Sequence, residues 1–249
     1  MGRLWVLGSM GWMPRDGQET CSYLVERDDQ LIMLDAGTGV SNLYRYTDVL
    51  SRYDRLSILL SHYHLDHMAG LMYLKRFCRD LTLDIYGPGK PVYPKTTEQY
   101  LSDFLQSAIY SSGPFGFART VRYFDYGGKD FDVGETHIEV TPQRHSSPSF
   151  QLRLGTDIVY ATDTAFDATS WSNVQPAHIL LHECWQLSSG DPRHSSAEAL
   201  VSGLPRFSFD HVLFIHHNPA WTPDDRRAIS ALASTAGISL AEDGMCIEF

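Results

Sequence analysis

Four potential metal ligands lie close together in the stretch Ser61-His62-Tyr63-His64-Leu65-Asp66-His67. They directly follow the apolar run at residues 56–60, which predicts a strand that ends where the polar cluster begins. Imidazole nitrogens and carboxylate oxygens are ligands that zinc and related divalent metals take in proteins. Two imidazoles at alternate positions suit one metal, and the adjacent Asp and His suit a second. The spacing therefore predicts a metal site at the edge of a sheet.

The elements that must position this cluster alternate between strands and helices in both halves of the chain. Capping boxes at Thr96/Gln99 and Ser195/Glu198, and Pro223 in a first turn, mark three helix starts. Two further helices are predicted at residues 41–53 and 68–78. Other strands are predicted at residues 4–7, 21–26, 31–34, 81–86, 137–141, 150–154, 158–161, 179–181 and 212–215, with a last strand at the C-terminus. No linker divides the halves, so we expect one domain, residues 1–249, with two sheets flanked by helices.

Composition narrows the classes of partner. The 249 residues carry a net charge of −10, which argues against an extended contact surface for nucleic acid or an anionic membrane. No apolar run approaches the length of a membrane span, and residues 1–7 read as a strand without the apolar core of a signal peptide. The cysteines form no CxxC pair, which is typical of reduced thiols in a cytoplasmic protein: Cys21, Cys78, Cys184 and Cys246. We therefore expect a soluble, cytoplasmic protein.

The motif His62-x-His64-x-Asp66-His67, with Asp35-x-Gly37 after an earlier strand, resembles the signature of the metallo-β-lactamase superfamily. The resemblance extends over nearly the full chain and implies an α/β (α+β) fold, a four-layer αββα sandwich. It also implies a binuclear site. The first metal would be bound by His62, His64 and His145, the second by Asp66, His67 and His216, and Asp163 would bridge them.

Two details of this ligand set bear on its chemistry. Superfamily members that carry iron for redox reactions typically have Glu at the position of His64, so the histidine favours two Zn²⁺ ions and hydrolysis. Mn²⁺ and Fe²⁺ remain alternatives. His216 is favoured over His217 as the last ligand because it is the first residue after a predicted strand, and His217 would then lie beside the site.

A second group of residues resembles the ribonuclease Z branch of this superfamily, which includes phosphodiesterases. The sequence Leu180-Leu181-His182-Glu183-Cys184 is followed by Arg193-His194-Ser195-Ser196. The resemblance places His194 near the scissile phosphate, where it would stabilise the departing oxygen, and gives His182 and Glu183 orienting roles. In the alternative interpretation, His194 merely precedes a helix capped by Ser195 and Glu198.

Enzymes of that branch that process tRNA carry a long arm between the third histidine ligand and the bridging aspartate. Only 17 residues separate His145 from Asp163, which is enough for a hairpin. The short span and the acidic charge weaken tRNA 3′-processing, which stays an alternative. We expect a small phosphodiester or nucleotide as substrate, and a carbonyl-centre hydrolase (lactonase, thioesterase or β-lactamase-like) is the runner-up. A non-catalytic metal-binding accessory protein is the alternative of another class.

In the expected mechanism, two metal ions activate a bridging water and polarise the scissile group. Asp66 holds the resulting hydroxide and takes its proton, and Asp35 braces the loop at residues 62–67 through hydrogen bonds. Related enzymes often form homodimers, which suggests one here. The loops at residues 12–15 and 111–117 are further candidates for contact with the substrate.

Overall fold

The computed structural model describes residues 2–106, 115–166, 176–188 and 190–249. Within these ranges the chain forms two seven-stranded sheets. In chain order the strands are β1 (Arg3–Gly8), β2 (Ser22–Arg27), β3 (Gln30–Leu34), β4 (Arg55–Leu59), β5 (Thr82–Gly87), β6 (Thr120–Asp125), β7 (Phe131–Val133), β8 (Thr136–Gln143), β9 (Ser149–Leu154), β10 (Ile158–Ala161), β11 (Ala177–Glu183), β12 (Phe209–Ile215), β13 (Ser239–Leu240) and β14 (Cys246–Glu248).

Each sheet combines parallel and antiparallel pairs. The first sheet has the order β14-β1-β2-β3-β4-β5-β6, and the second has the order β13-β12-β11-β10-β9-β8-β7. Strands β3 to β6 run parallel, as do strands β10 to β13, while the remaining neighbours are antiparallel. Because the carboxyl ends of parallel strands meet at one edge of a sheet, the loops that follow them can converge on one site.

Helices cover the outer faces of the sheets. The α-helices are α1 (Thr47–Leu50), α2 (Gly89–Val92), α3 (Thr97–Phe104), α4 (Ala197–Gly203) and α5 (Pro223–Ser234), and the 3₁₀ helices are Thr38–Tyr46, Leu65–His67, Ala69–Arg76 and Leu204–Arg206. Among the described ranges, no helix combines the length and the apolar character that crossing a membrane requires.

Alternating side chains of the strands separate the core into layers. Ile32 of β3 and Tyr160 of β10 are buried together between the two sheets. Their neighbours Met33 and Val159 point to the opposite faces, where they pack with the segments outside each sheet, including α4 and α5 in the second half. This period of two is the expected pattern for a sheet that is covered on both sides. The αββα sandwich expected from the sequence is confirmed.

The structure corrects three local expectations. The helices expected at residues 41–53 and 68–78 are mainly 3₁₀ turns, since apolar residues three or four apart are compatible with either type of helix. The cap of α4 is Ser196 and not Ser195, whose hydroxyl instead donates to the Thr164 carbonyl oxygen. Strands β6 and β7 were not predicted. The capping box at Thr96 and Gln99 is present as expected.

One predicted loop lies partly beyond the described ranges. Residues 107–114 lie outside the described residues. They include much of the predicted loop at residues 111–117 and the end of the helix that was predicted to start at Thr96. Phe115, an aromatic residue of this loop that is described, is only 1% exposed and packs in the core outside the first sheet.

Candidate metal centre

The candidate metal centre lies at the carboxyl ends of parallel strands from both sheets. In the first sheet, Asp35 follows β3 and residues 61–67 follow β4. In the second sheet, Asp163 follows β10 after one intervening residue, and His216 follows β12 directly. The sandwich brings these strand ends together, so side chains far apart in sequence become neighbours.

The described residues contain three groups of side chains that could hold a metal ion, with the ligand atoms of each group within 4.8 Å of one another. The groups are His62, His64, His145 and Asp163; then Asp66, His67 and His216; and finally Asp163, Glu183, His194 and His216. The first two groups coincide with the two ligand sets that the family resemblance implies. The third group adds Glu183 and His194, for which the family resemblance implies roles beside the metals.

Asp163 lies between the two ligand sets. Its Oδ1 is 3.4 Å from His145 Nε2 on the side of the first set. Its Oδ2 is 2.7 Å from His67 Nε2 and 3.2 Å from His216 Nε2 on the side of the second set. Oδ2 also lies 3.7 Å from His62 Nε2 of the first set, so the carboxylate faces imidazoles of both sets, which is the arrangement that a bridging ligand requires.

The burial of His62 tests whether these residues fit a metal. Its imidazole is fully buried, and Nε2 has no hydrogen-bond partner among the described residues. An unsatisfied buried polar group costs about 1–3 kcal/mol, whereas a cation bound at that nitrogen would remove the cost. Burial also lowers the pKa of His62 well below its usual value, which favours the neutral form that coordinates metals. The residues present therefore fit a divalent metal.

Carboxylates dominate the charge on the side of the second ligand set. Burial alone would lower the pKa of His67, but Asp66, Asp35 and Asp163 outweigh it and raise that pKa well above its usual value. Burial would raise the pKa of Asp66, but His67 and His216 hold it well below its usual range. This side of the site therefore attracts positive charge and keeps its carboxylates ionised.

Asp35 fixes the orientation of the part of the site that follows β4, residues 61–67. It is fully buried, and its Oδ1 accepts a hydrogen bond of 2.7 Å from the Ser61 backbone N–H. Its Oδ2 lies 2.7 Å from His67 Nδ1 and accepts a bond of 2.6 Å from the Tyr160 hydroxyl on β10. A carboxylate at Nδ1 holds the proton there and leaves Nε2 free to face the cluster. Asp35 thus has the bracing position expected from the sequence.

Glu183 is the corresponding carboxylate in the part of the site that comes from the second half of the chain. It is fully buried at the end of β11, and its Oε2 lies 2.9 Å from His194 Nδ1 and 3.4 Å from His216 Nδ1. Its Oε1 accepts backbone N–H groups from Thr164 and Ser195. Burial would raise the pKa of Glu183, but the two histidines hold it below its usual value. One carboxylate therefore orients both a candidate ligand and His194.

His194 itself lies at the rim of the cluster. Its ring stacks on the indole of Trp185, with centroids 4.7 Å apart and planes inclined by 21°. It also contacts His145 edge to face, with centroids 5.2 Å apart. Because Glu183 engages Nδ1, the other ring nitrogen, Nε2, is left for a ligand or a substrate.

The two remaining predicted residues point away from the cluster. His182 Nδ1 lies 2.8 Å from the Glu183 carbonyl oxygen, and burial lowers the pKa of His182 to about 4. His217 Nε2 lies 2.9 Å from the Phe214 carbonyl oxygen, its ring stacks on Trp221, and burial lowers its pKa to about 3. The geometry therefore places His216, rather than His217, among the clustered side chains.

The backbone at the site adopts an uncommon conformation. Asp35, Asp163 and His216 have φ values of 51°, 49° and 52°, in the left-handed region that non-glycine residues rarely adopt. Trp12, whose backbone N–H donates a 2.7 Å bond to Asp66 Oδ2, has a φ of 59°. Such residues cost about 1–3 kcal/mol each and cluster at functional sites. Their concentration around one cluster of ligands is independent support for a functional role.

Several supporting residues were missed by sequence reasoning. The Ser147 hydroxyl lies 2.9 Å from His64 Nε2, and Ser61 Oγ lies 3.0 Å from His62 Nδ1. Trp185 and Tyr160 were also not predicted to touch the site. The serines are adjacent or close to candidate ligands in sequence, which is a usable signal. Trp185 and Tyr160 carried none, because their contacts arise only from tertiary packing.

Comparisons with known proteins bear on the family and the fold of the chain. Residues 17–235 match the family described as Anti-Pycsar protein Apyc1. The chain is 31% identical over 110 residues to ribonuclease Z of Treponema denticola, in a match that covers 42% of this chain and 35% of the relative. The matched segment thus spans about a third of that relative's length.

Two further proteins resemble the chain over most of its length. It is 24% identical over 184 residues to the probable metallo-hydrolase YhfI of Bacillus subtilis, covering 72% of this chain and 70% of the relative. The crystal structure of YhfI, described as a metallo-β-lactamase fold protein, superposes with a TM-score of 0.76 over 100% of this chain and 99% of that one at 20% identity. A diphosphatase from the PhnP family superposes with a TM-score of 0.75 at 20% identity, covering 100% and 98%. The chain therefore has the metallo-β-lactamase fold and belongs to the family described as Anti-Pycsar protein Apyc1.

Proposed function

We propose that this protein is a binuclear zinc-dependent hydrolase that acts on small phosphodiesters, such as cyclic nucleotides. The observation that carries the proposal is the position of Glu183, which contacts both His216 and His194. A candidate metal ligand and a free imidazole are thereby held on one rigid carboxylate. This arrangement suits a reaction in which a metal-held nucleophile and a group that serves the leaving oxygen must be held in fixed positions relative to each other.

The residues divide the work of the reaction in this proposal. When bound, the metals supply a water of lowered pKa and polarise a phosphoryl oxygen. Asp66 is ionised and partly accessible, with 12% of its side chain exposed, so it is placed to accept the proton of that water. His194, with Nδ1 engaged by Glu183, would stabilise or protonate the departing oxygen through Nε2.

The connection between His145 and Asp163 supports a small substrate. It consists of the antiparallel hairpin of β9 and β10, in which Leu154 pairs with Ile158. No arm extends from this stretch, all of which is described. An RNA-gripping arm at this position is therefore missing, and the net charge of −10 does not favour an extended contact with RNA.

The proposal is tested by comparing substrates on zinc-loaded protein. We expect hydrolysis of bis(p-nitrophenyl) phosphate and of a 3′,5′-cyclic nucleotide, and little hydrolysis of a lactone or of nitrocefin. Activity on the lactone or on nitrocefin alone would support a carbonyl-centre hydrolase instead. Metal analysis completes the test. A zinc content below two equivalents per chain in the wild-type protein, and the same zinc content in the His62→Ala variant, would contradict the binuclear site.

A further inference from the structure

The loop after β1 presents a large apolar side chain beside the candidate metal centre. Trp12 is 70% exposed, the highest value among the large hydrophobic side chains of the described residues, and Met13 beside it is 50% exposed. Leu65, which lies between two candidate ligands in sequence, is 63% exposed. A lone exposed hydrophobic residue is ordinary, but these three belong to segments that meet at one site.

Contacts of the backbone fix the position of this loop against the second ligand set. The Trp12 N–H donates a 2.7 Å hydrogen bond to Asp66 Oδ2. A Cβ atom on Gly11 would lie 2.5 Å from His216 Nδ1, so the glycine backbone packs directly on that imidazole. Trp12 therefore extends from a point that touches Asp66 while its neighbour touches His216.

The loop holds the indole on a rigid base. The Gly11 N–H donates to the His217 carbonyl oxygen at 2.9 Å, and the Met13 N–H donates to the Gly11 carbonyl oxygen at 2.7 Å. Arg15 and Gln18 close the following turn with two backbone bonds of 3.0 and 2.9 Å. These contacts maintain the left-handed φ of 59° at Trp12. Because the backbone of this loop is already held by hydrogen bonds, a ligand that covers the indole need not order the loop itself.

We propose that Trp12, whose backbone contacts Asp66, is a stacking platform for the nucleobase of a nucleotide whose phosphate lies at the metal centre. The inference rests on the proposed function and names the substrate class more closely. Every base presents a flat π-face to an indole, so the platform favours nucleotides over base-free phosphodiesters and tolerates different bases. Three apolar side chains are too few for a stable protein interface, which needs about 20–30 residues a side.

Binding measurements test the platform without requiring turnover. We expect zinc-loaded protein to bind adenosine 5′-monophosphate and cytidine 5′-monophosphate more tightly than ribose 5-phosphate in titration calorimetry. Trp12→Asn should weaken nucleotide binding about 5- to 150-fold, equivalent to ~1–3 kcal/mol of stacking, and change ribose 5-phosphate binding less than about twofold. Asn tolerates the left-handed backbone, so the bond to Asp66 is retained.

Kinetics supply a second readout. For 3′,5′-cyclic nucleotides, Trp12→Asn should raise KM with little change in kcat, and Trp12→Phe should restore most of the loss because it keeps an aromatic face. Tyr44→Ala is the matched control, since Tyr44 is an aromatic residue of similar exposure, 59%, outside this loop. It should leave both parameters unchanged.

Three outcomes would overturn the inference. The first is an equal loss of affinity for nucleotides and for ribose 5-phosphate, and the second is no nucleotide preference in the wild-type protein. The third is a Trp12→Asn variant whose sedimentation reveals a changed oligomeric state while its base preference is intact, which would make the loop a contact between copies of the chain. Failure of the proposed function looks different: the wild-type protein would hydrolyse no phosphodiester yet keep a Trp12-dependent preference for nucleotides.

Discussion

The two halves of the candidate metal centre are built in different ways. The first half takes its ligands from one continuous stretch, residues 62–67, directly after β4. The second half takes His145, Asp163 and His216 from the ends of separate strands. A contiguous motif can reach nearly the right geometry through local backbone structure, whereas separate strand ends depend on the packing of the whole second sheet.

The bracing carboxylates differ in the same sense. Asp35 contacts His67 within the first half and reaches the second sheet through Tyr160. Glu183 contacts His216 and His194, and so links a candidate ligand to the group expected to act on the substrate. We therefore expect Asp35 mainly to support metal binding, and Glu183 to support both metal binding and the chemical step.

The largest effect on metal content and activity is expected at Asp163, the residue of the second half that also contacts the first. Asp163→Ala removes the carboxylate that faces both ligand sets, so we expect metal content to fall below two equivalents. Activity on bis(p-nitrophenyl) phosphate should fall by more than the ~10–100-fold typical of a residue that only supports a ligand. Metal analysis and initial rates measure both effects, with the exposed Glu135→Ala as the control. Full activity with two equivalents of metal would refute the bridging position.

The next effect separates the chemistry from metal binding. His194→Ala should lower kcat by about 10²–10⁴-fold, the usual contribution of a positioned acid or base, while metal content stays at the wild-type level. The reason is that His194 lies at the rim and its Nδ1 is engaged by Glu183. If the variant instead loses metal in proportion to activity, His194 is a metal ligand, and the separate role proposed for it in the chemical step is incorrect.

A smaller effect is expected for the brace of the first half. Asp35→Asn replaces either Oδ2, which faces both His67 Nδ1 and the Tyr160 hydroxyl, or Oδ1, which accepts the Ser61 N–H, so metal affinity should fall by about 10–100-fold. Titration with zinc should restore much of the activity, because Asp66 and His194, the groups proposed to act on the substrate, are unchanged. A variant with wild-type zinc affinity but a lowered kcat would reverse the role assigned to Asp35.

The corresponding change in the second half is Glu183→Gln. We expect a loss of about 10–100-fold in activity that added zinc does not restore, because the orientation of His194 is disturbed as well as that of His216. Complete rescue by zinc, as expected for Asp35→Asn, would remove the distinction between the two braces.

The smallest effect concerns the helix that follows His194. Ser196→Ala removes the side chain that accepts the Ala199 N–H, and should lower the free energy of unfolding by about 0.5–2 kcal/mol. Urea denaturation measures this change, and metal content should not change. A free energy of unfolding equal to that of the wild-type protein would show that the cap contributes nothing to α4.

Local sequence predicted much of the fold because alternation and turn residues act over short distances. The capping box at Thr96, the helix start marked by Pro223, and most strands of both sheets follow from such patterns. The type of the helical turns at residues 38–46 and 69–76 did not follow, since the spacing of apolar residues does not separate 3₁₀ from α geometry. Nor did the cap of α4, because adjacent serines offer equivalent hydroxyl groups and only the contact of Ser195 with Thr164 selects between them.

For the site, the sequence by itself determined the types of the candidate ligands, the order of the strands that carry them and, through the motif at residues 62–67, the superfamily. Tertiary structure alone decided which atoms meet. It placed both oxygens of Asp163 between two sets of imidazoles, joined His194 to His216 through Glu183, and set Trp12 beside Asp66. The physical reason is that ligand chemistry resides in single residues, whereas distance and direction depend on how two sheets pack and where their strands end.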